Sequence, residues 1–86
     1  MPEISRFFGI VITMHFNDHP PPHFHARYGA HKALIEIDSL SVVAGGLPPR
    51  VLGLVAEWGL QHRPELRDNW QRVLRKESPQ RIAPLE

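Results

Sequence analysis

The chain has 86 residues, a hydrophobic fraction of 42% and a formal net charge of +1, which predict one small globular domain over residues 1–86. Because it contains no cysteine, a disulfide framework and a thiolate metal site are excluded. The N-terminus lacks the pattern of a signal peptide, and no apolar stretch approaches the ~20 residues of a membrane span, so a cytoplasmic protein is expected.

The N-terminal part of the chain shows the alternation of apolar and polar residues that is typical of strands. Ile4–Phe8 predicts a short edge strand, and Ile10–Phe16 predicts a second strand with one apolar side. Asn17–Pro22 is predicted to be a loop. The three consecutive prolines Pro20–Pro22 fix φ and remove backbone donors, so they predict a stiff extended connector.

A hairpin is predicted next, with strands at His23–Tyr28 and His31–Ile37, because Gly29 at the first loop position suits a type II′ turn. This register separates an apolar face from a polar face. The polar face has three cross-strand pairs: His23 with Glu36, His25 with Leu34, and Arg27 with Lys32. The like charges of the last pair are unfavourable, so a longer loop is an alternative.

The C-terminal half changes from strand periodicity to helical periodicity. Leu40–Ala44 can add a further short strand, and Pro48-Pro49 then suits the start of a helix. Two helices, separated at Pro64, are predicted from apolar stripes: Val51, Leu54, Val55, Trp58 and His62, then Leu66, Trp70, Val73 and Leu74. The predicted fold is α+β, an antiparallel sheet of three to four strands followed by two helices packed on one face.

Longer motifs are more specific than these periodicities. They are I-S-R-F-F-G-I-V-I from Ile4 to Ile12, F-N-D-H-x-P-P-H-F-H-A-x-Y-G from Phe16 to Gly29, and W-x-x-x-H-R-x-E-L-x-x-N-W from Trp58 to Trp70. With these motifs the chain resembles a family of small bacterial proteins that is catalogued as domain of unknown function 4160.

The resemblance implies a partner protein, but it implies no particular catalytic activity. Members look like one gene of a compact pair with another small uncharacterised protein, similar to toxin–antitoxin modules, and some carry the label of transcriptional regulator. The expected partner is therefore a small protein from the adjacent gene. Relatives often have other residues around Met14, which makes His15 a weaker site candidate than His23 or His25.

The polar face of the predicted hairpin contains a candidate metal site. His23 and His25 alternate on one strand, so their imidazoles lie on the same face, about 6–7 Å apart at Cα. With Asp18 or His19 they would form a ligand set for Zn²⁺, Ni²⁺ or Cu²⁺. The alternative is that they are surface histidines, one of them paired with Glu36.

His62 offers a second candidate catalytic group at the end of the first predicted helix. It could act as a general base, with Arg63 to hold an anion and Glu65 to orient the imidazole. Paired with His23 or His25, it would form the acid/base pair that RNA cleavage requires. The predicted register opposes this pairing, since His62 faces the apolar side of the sheet. The groups could meet only at the rim of the sheet or across a homodimer interface.

Basic residues accumulate toward the C-terminus: Arg67, Arg72, Arg75, Lys76 and Arg81. Together with Arg63 they could bind the phosphates of a nucleic acid or an acidic partner. The alternative is a solvated helix face whose charges have no ligand.

These residues leave three functions open. The preferred one is a small partner-binding domain, toxin–antitoxin-like or regulatory and able to act on nucleic acid, with its working surface at Asp18–His25. Its rival is a histidine-dependent hydrolase, with or without a metal, such as an endoribonuclease. The third is a structural interaction module in which the histidines contribute only stability.

Overall fold

A computed structural model describes residues 2–86 and shows five strands followed by two helices. The sheet is antiparallel and its strands lie in chain order, so each strand pairs with the next. The elements are β1 (Glu3–Phe7), β2 (Ile10–Thr13), β3 (His23–Tyr28), β4 (His31–Glu36), β5 (Val42–Gly45), α1 (Pro49–Gln61) and α2 (Arg63–Leu74). The predicted α+β class is confirmed. The predicted number of strands, three to four, is corrected to five because both outermost strands form.

The β3–β4 hairpin has the predicted register. Its two-residue loop starts with Gly29, whose φ of 58° is a left-handed conformation that glycine adopts at little cost. Phe24 lies opposite Ile35 and both are fully buried, whereas Arg27 lies opposite Lys32 and both are exposed. The longer loop is therefore excluded, and the two like charges do face each other across the strands.

The connection between β2 and β3 differs from the prediction. β2 ends at Thr13, three residues before the predicted end of the strand, and Phe16-Asn17 form a turn. Pro20 and Pro21 lie in a bend, so the prolines do not form a straight extended connector. The loop folds back far enough to bring Asp18 into contact with β3, and this contact builds the site described below.

Helix α1 covers the apolar face of the sheet. The fully buried Trp58 packs edge-on against Phe24, with a ring-centroid separation of 5.7 Å, and lies 5.4 Å from the ring of Phe7. Val51 and Val55 of the same stripe are buried beside it. The predicted stripe is thus the face by which α1 attaches to the sheet, and the opposite face of the sheet is left without a helix.

Helix α2 extends the same core toward the start of β3. Leu66, Trp70 and Val73 are buried as their spacing predicts, but Leu74 is 48% exposed and does not join them. The ring of Trp70 lies 5.3 Å from the ring of His23, which is the first residue of β3. The indole therefore forms one wall of the region in which the histidines gather.

The C-terminal tail is held against the body by hydrogen bonds. Asn69 of α2 is almost fully buried. Its side-chain amide donates to the carbonyl oxygen of Gln80 and its amide oxygen accepts from the N–H of Gln80, both at 2.8 Å. Further along, the N–H of Ile82 donates to the carbonyl oxygen of Ile4 at 2.7 Å. The tail thereby covers the outer edge of β1 at this position.

The opposite edge of the sheet is open. All four residues of β5 are exposed, with Val42 at 37% and Val43 at 50%. Gly45 ends the strand at a φ of 74°, where a Cβ would collide with the carbonyl oxygen of Lys32. An uncovered strand with apolar side chains can pair with another chain. Within residues 2–86, neither helix is long and apolar enough to cross a membrane.

Candidate metal centre

The site forms where the end of β2, the start of β3 and the loop between them meet. Thr13 lies opposite His25 in the sheet, so the chain just beyond Thr13 runs beside the first residues of β3. His15 follows two residues later, and its ring stacks on that of His25 at a centroid separation of 3.8 Å and an angle of 16°. Asp18 enters from the loop and contacts the same histidine.

Three side chains direct ligand atoms toward one point. The candidate ligand atoms of His15, Asp18 and His25 lie within 4.8 Å of one another, and all three residues are half-buried. His25 Nε2 donates a hydrogen bond to Asp18 Oδ2 at 2.8 Å. Since metal–ligand bonds to nitrogen and oxygen are about 2.0–2.2 Å long, small side-chain adjustments would let all three bind one ion.

His23 lies behind Asp18 and is nearly buried, with 7% of its side chain exposed. Its Nδ1 donates to the carbonyl oxygen of Pro21 at 2.8 Å; because a carbonyl can only accept, Nδ1 carries the proton. Its Nε2 lies 3.3 Å from Asp18 Oδ2 without forming a hydrogen bond, and this buried nitrogen has no other hydrogen-bond partner within residues 2–86. In the neutral ring a lone pair therefore faces a carboxylate, and a proton or a cation beside Asp18 would remove that repulsion.

The environment of His15 favours its neutral form. Burial, and secondly the neighbouring His25, lower the pKa of His15 below its usual value. Thr13 Oγ1 lies 3.3 Å from His15 Nε2 and can hold the ring in place. A neutral imidazole has a free lone pair at neutral pH, which is the form that binds a metal.

The donor set of two imidazoles and one carboxylate has a known chemistry. Zinc sites with three protein ligands keep a fourth position for water or substrate, and imidazole ligands also suit Ni²⁺ and Cu²⁺. The side chains of Asp18 and His25 are 21% and 24% exposed, so one side of the cluster can be reached from solvent. The arrangement is typical of a reactive metal centre more than of a closed structural one.

A cavity of about 280 Å³ on the polar face adjoins this cluster. His15 and His25 form one side of it, and Arg27 and Lys32 form another. The remaining contacts come from Val11, Thr13, Ala26 and Ala33, so no carboxylate of residues 2–86 lines the cavity. The metal candidates and two cationic side chains thus share one solvent-accessible space.

The second predicted catalytic group is elsewhere. His62 binds Glu65, with 2.6 Å between Nδ1 and Oε1, and its ring lies 5.6 Å from that of Trp58 on the covered side. Among residues 2–86, no ring contact or hydrogen bond joins His62 to His23 or His25. The predicted orienting role of Glu65 has the geometry it needs, but within one chain the structure keeps the two histidine sites apart.

Two predicted binding arginines of α2 serve as connections to the β4–β5 turn. Arg63 Nε donates to the carbonyl oxygen of Ile37 at 3.2 Å, and Arg67 donates twice to Asp38 Oδ1, from Nε at 3.0 Å and from a terminal nitrogen at 2.8 Å. The late basic cluster is likewise occupied, since Arg72, Arg75 and Arg81 bind Asp68, Glu77 and Glu3, and Lys76 binds Asn17. These contacts favour the interpretation of a solvated surface.

The remaining predicted residues have different positions. His19 is exposed in the loop, beyond the cluster of His15, Asp18 and His25. Glu36 is half-buried and lies opposite His23 in the register, as predicted. The acid within ion-pair distance of His23 is nevertheless Asp18, so the alternative pairing of a histidine with Glu36 is replaced by this one.

His15 belongs to the cluster although the sequence motifs ranked it below His23 and His25 as a site residue. The clue was present: once His25 is placed opposite Thr13, the next residue on the same side of the chain is His15. Reading the β2–β3 register as well as the β3–β4 register would have placed it beside His25. Its departure from the residues of relatives pointed the other way.

The fold and the site define an α+β domain whose uncovered sheet face contains a histidine–aspartate cluster. The chain belongs to the family described as domain of unknown function 4160, whose sequence model matches residues 9–71. That match includes β2 to β5, all of α1 and most of α2, and therefore every residue of the cluster. No curated protein and no solved structure gave a significant match to the chain.

Proposed function

We propose that this protein is a hydrolase that depends on a divalent transition metal, Zn²⁺, Ni²⁺ or Cu²⁺, held by His15, Asp18 and His25. The observation that carries the proposal is the convergence of their ligand atoms within 4.8 Å at a solvent-accessible cavity. The unpartnered Nε2 of His23 beside Asp18 supports it, because a cation there would remove an unfavourable contact. The proposal retains the predicted rival function, but in the predicted ligand set of His23, His25 and Asp18 it replaces His23 with His15.

Each residue has a distinct role in this proposal. When bound, the metal would lower the pKa of a coordinated water to about 7 and so supply hydroxide at neutral pH. In such a hydrolysis the water oxygen would bond to the electrophilic centre, the bond from that centre to the leaving oxygen would break, and the leaving oxygen would take the proton. His23 would be a positioning residue: its Nδ1 is fixed on the carbonyl oxygen of Pro21, and its Nε2 lies 3.3 Å from Asp18 Oδ2.

The test is a calorimetric titration of metal-stripped protein with Zn²⁺, Ni²⁺ and Cu²⁺ at neutral pH. We expect submicromolar binding of one ion per chain, which would replace the hydrogen bond between His25 Nε2 and Asp18 Oδ2. His15→Ala and His25→Ala should abolish submicromolar binding. His23→Ala should weaken it by about 10–100-fold, as the loss of an outer-shell partner does.

His31→Ala is the matched control, since His31 is an exposed histidine of the same hairpin that lies outside the cluster. It should leave the affinity unchanged. Metal binding that survives His15→Ala and His25→Ala, or that falls equally in His31→Ala, would remove the proposed centre. The metal-loaded wild type should also hydrolyse 4-nitrophenyl acetate faster than the stripped protein, and equal rates would rule out the hydrolase.

A second candidate function is favoured by the open edge of β5. An extended segment of a partner can add a strand to such an edge, and the exposed Val42 and Val43 would be covered in the process. The partner would be the small protein that the family resemblance implies, in a toxin–antitoxin-like or regulatory pair. A second copy of this chain is the competing occupant.

This candidate is tested by light scattering on the chain alone and mixed with the product of the adjacent gene. We expect a complex that Val43→Lys disrupts and Leu74→Lys does not, because the two side chains have similar exposures of 50% and 48% but only the first lies on the edge. A dimer of the chain alone that Val43→Lys dissociates would assign the edge to self-association. A complex unaffected by Val43→Lys would exclude the edge as the interface.

A further inference from the structure

Arg27 and Lys32 are placed in a way that costs stability. They lie directly opposite each other on neighbouring antiparallel strands, and both are exposed on the polar face. Like charges in this position repel, so the pair is destabilising relative to a neutral one. The hairpin does not need them for its register, which Gly29 and the buried pair of Phe24 and Ile35 already determine.

Most of the other arginines have a carboxylate partner, although Arg50 and Arg63 have none among the residues that the structure describes. Within residues 2–86, five arginines form ion pairs with carboxylates: Arg6, Arg67, Arg72, Arg75 and Arg81. In the described part of the chain, neither Arg27 nor Lys32 has a carboxylate within ion-pair distance. Two adjacent cations without a counter-charge form a local positive field that attracts an anion.

This field is located next to the candidate metal centre. Arg27 follows His25 by two residues on the same side of β3, which separates their Cα atoms by roughly 6.6 Å. Both residues, with His15 and Lys32, line the same cavity of about 280 Å³, and none of the described residues that line it is acidic. A ligand in this space would therefore meet two cationic groups at one end and the metal ligands at the other.

We propose that the substrate class of this site is a phosphate ester, whose phosphoryl oxygens are bound by Arg27 and Lys32 while the ester bond lies at the metal. This inference rests on the proposed hydrolase. A guanidinium can bind two phosphate oxygens at once and an ammonium adds a point charge, so the pair suits a tetrahedral anion with several oxygens. In the reaction the water oxygen bonds to phosphorus, the phosphorus–oxygen bond to the leaving group breaks, and the leaving oxygen takes the proton.

The experiment uses two double variants that remove the same charge. Arg27→Gln/Lys32→Gln removes the unpaired cations, and Arg72→Gln/Arg75→Gln removes two cations that are bound to carboxylates on α2. Zinc affinity, inorganic phosphate affinity of the zinc-loaded protein, and hydrolysis of bis(4-nitrophenyl) phosphate are measured for each. Hydrolysis of 4-nitrophenyl acetate, an ester without phosphate, is the substrate control.

We expect the first variant to bind zinc normally, to lose about tenfold or more in phosphate affinity, and to show a similar rise in KM for the phosphodiester. The second variant should remain within about twofold of wild type in all measurements, and neither variant should change hydrolysis of the acetate ester. Equal losses in both variants would show an effect of net charge alone and overturn the inference, as would unchanged phosphate affinity in the first.

The outcomes also separate this inference from the function on which it rests. Normal zinc binding and acetate hydrolysis with no Arg27- and Lys32-dependent phosphate binding would leave the hydrolase and overturn the substrate class. Phosphate binding that depends on both residues in a protein that binds no zinc would remove the hydrolase and keep the anion site.

Discussion

One face of the β3–β4 hairpin is buried against the helices, and the other is exposed to water. On one face Phe24 and Ile35 are fully buried, and Trp58 of α1 packs on the phenyl ring. On the other face Arg27 and Lys32 face each other in solvent, next to a cluster of polar side chains. Alternate residues of the same two strands thus supply the packing and the candidate site, so substitutions on the two faces should have different consequences.

The largest effect is expected on the covered face. Trp58→Ala should lower the free energy of unfolding by about 3–5 kcal/mol, because it leaves a cavity between α1 and the sheet. It also removes the hydrogen bond that Trp58 Nε1 donates to the carbonyl oxygen of Ala83 at 2.8 Å. Urea unfolding followed by circular dichroism measures the change.

Leu60→Ala on the same helix is the control, since Leu60 is 61% exposed and its loss should change the free energy of unfolding by less than about 0.5 kcal/mol. If the alanine variant does not fold, Trp58→Phe keeps an aromatic ring and should cost about 1–3 kcal/mol. The folded Trp58→Phe protein should bind zinc like wild type. A weakened metal centre in that variant would show that the two faces are not independent.

A smaller effect of opposite sign is expected on the open face. Lys32→Gln removes the repulsion from Arg27, so the free energy of unfolding should rise by about 0.2–1 kcal/mol. The gain should shrink at high salt, because salt screens the repulsion between exposed charges. The same substitution should weaken phosphate binding, so that stability and binding change in opposite directions.

Lys32→Arg keeps the charge and is the matched control for this prediction; its stability should equal that of wild type within error. Urea unfolding at low and at high salt provides the measurement. A stability gain that persists at high salt would assign the effect to strand propensity and not to the like charges.

The smallest effect concerns the attachment of the tail to β1. Hydrogen bonds from Arg6, and then from Arg81, lower the pKa of Glu3 below its ordinary value of 4.5. The folded state therefore holds the Glu3 carboxylate more strongly than the unfolded state does, and this contribution is present above pH 4.5. It is lost as the pH falls through the lowered value of the folded state.

In Glu3→Gln, the urea midpoint of unfolding should accordingly fall less steeply as the pH is lowered below 4.5. Near neutral pH, the dependence of the midpoint on pH should be the same as in wild type. Because Glu3 is on the surface, the difference is small and should fade at high salt. An unchanged acid profile in the variant would show that Glu3 does not couple the tail to β1.

Local features of the sequence were sufficient for the hairpin and the helices. Gly29 and the alternation around it predicted the complete β3–β4 register, and the stripe of Val51, Val55 and Trp58 predicted the buried face of α1. These predictions succeed because turn geometry and side-chain periodicity act over a few residues. The strand number was wrong because an edge strand depends on its neighbour as much as on its own residues.

The candidate site was only partly accessible to such reasoning. His25 and Asp18 were named from the motif, while His15 was ranked below them and His62 was considered as a partner. The loop between β2 and β3 has no period from which its path could be derived. The partners of the helix arginines could not be predicted from neighbouring residues either. The acid that binds Arg67 is Asp38, which lies 29 residues away in the chain.

The sequence by itself determined the class of the fold, the faces of the hairpin and the residue types available for chemistry, because composition and periodicity carry that information locally. Only the tertiary structure decided which of those residues meet. It brought His15, Asp18 and His25 to within 4.8 Å, and it left Arg27 and Lys32 without a carboxylate in the described part of the chain. These contacts depend on the path of the β2–β3 loop and on the pairing of the strands. Neither is specified by a short stretch of residues.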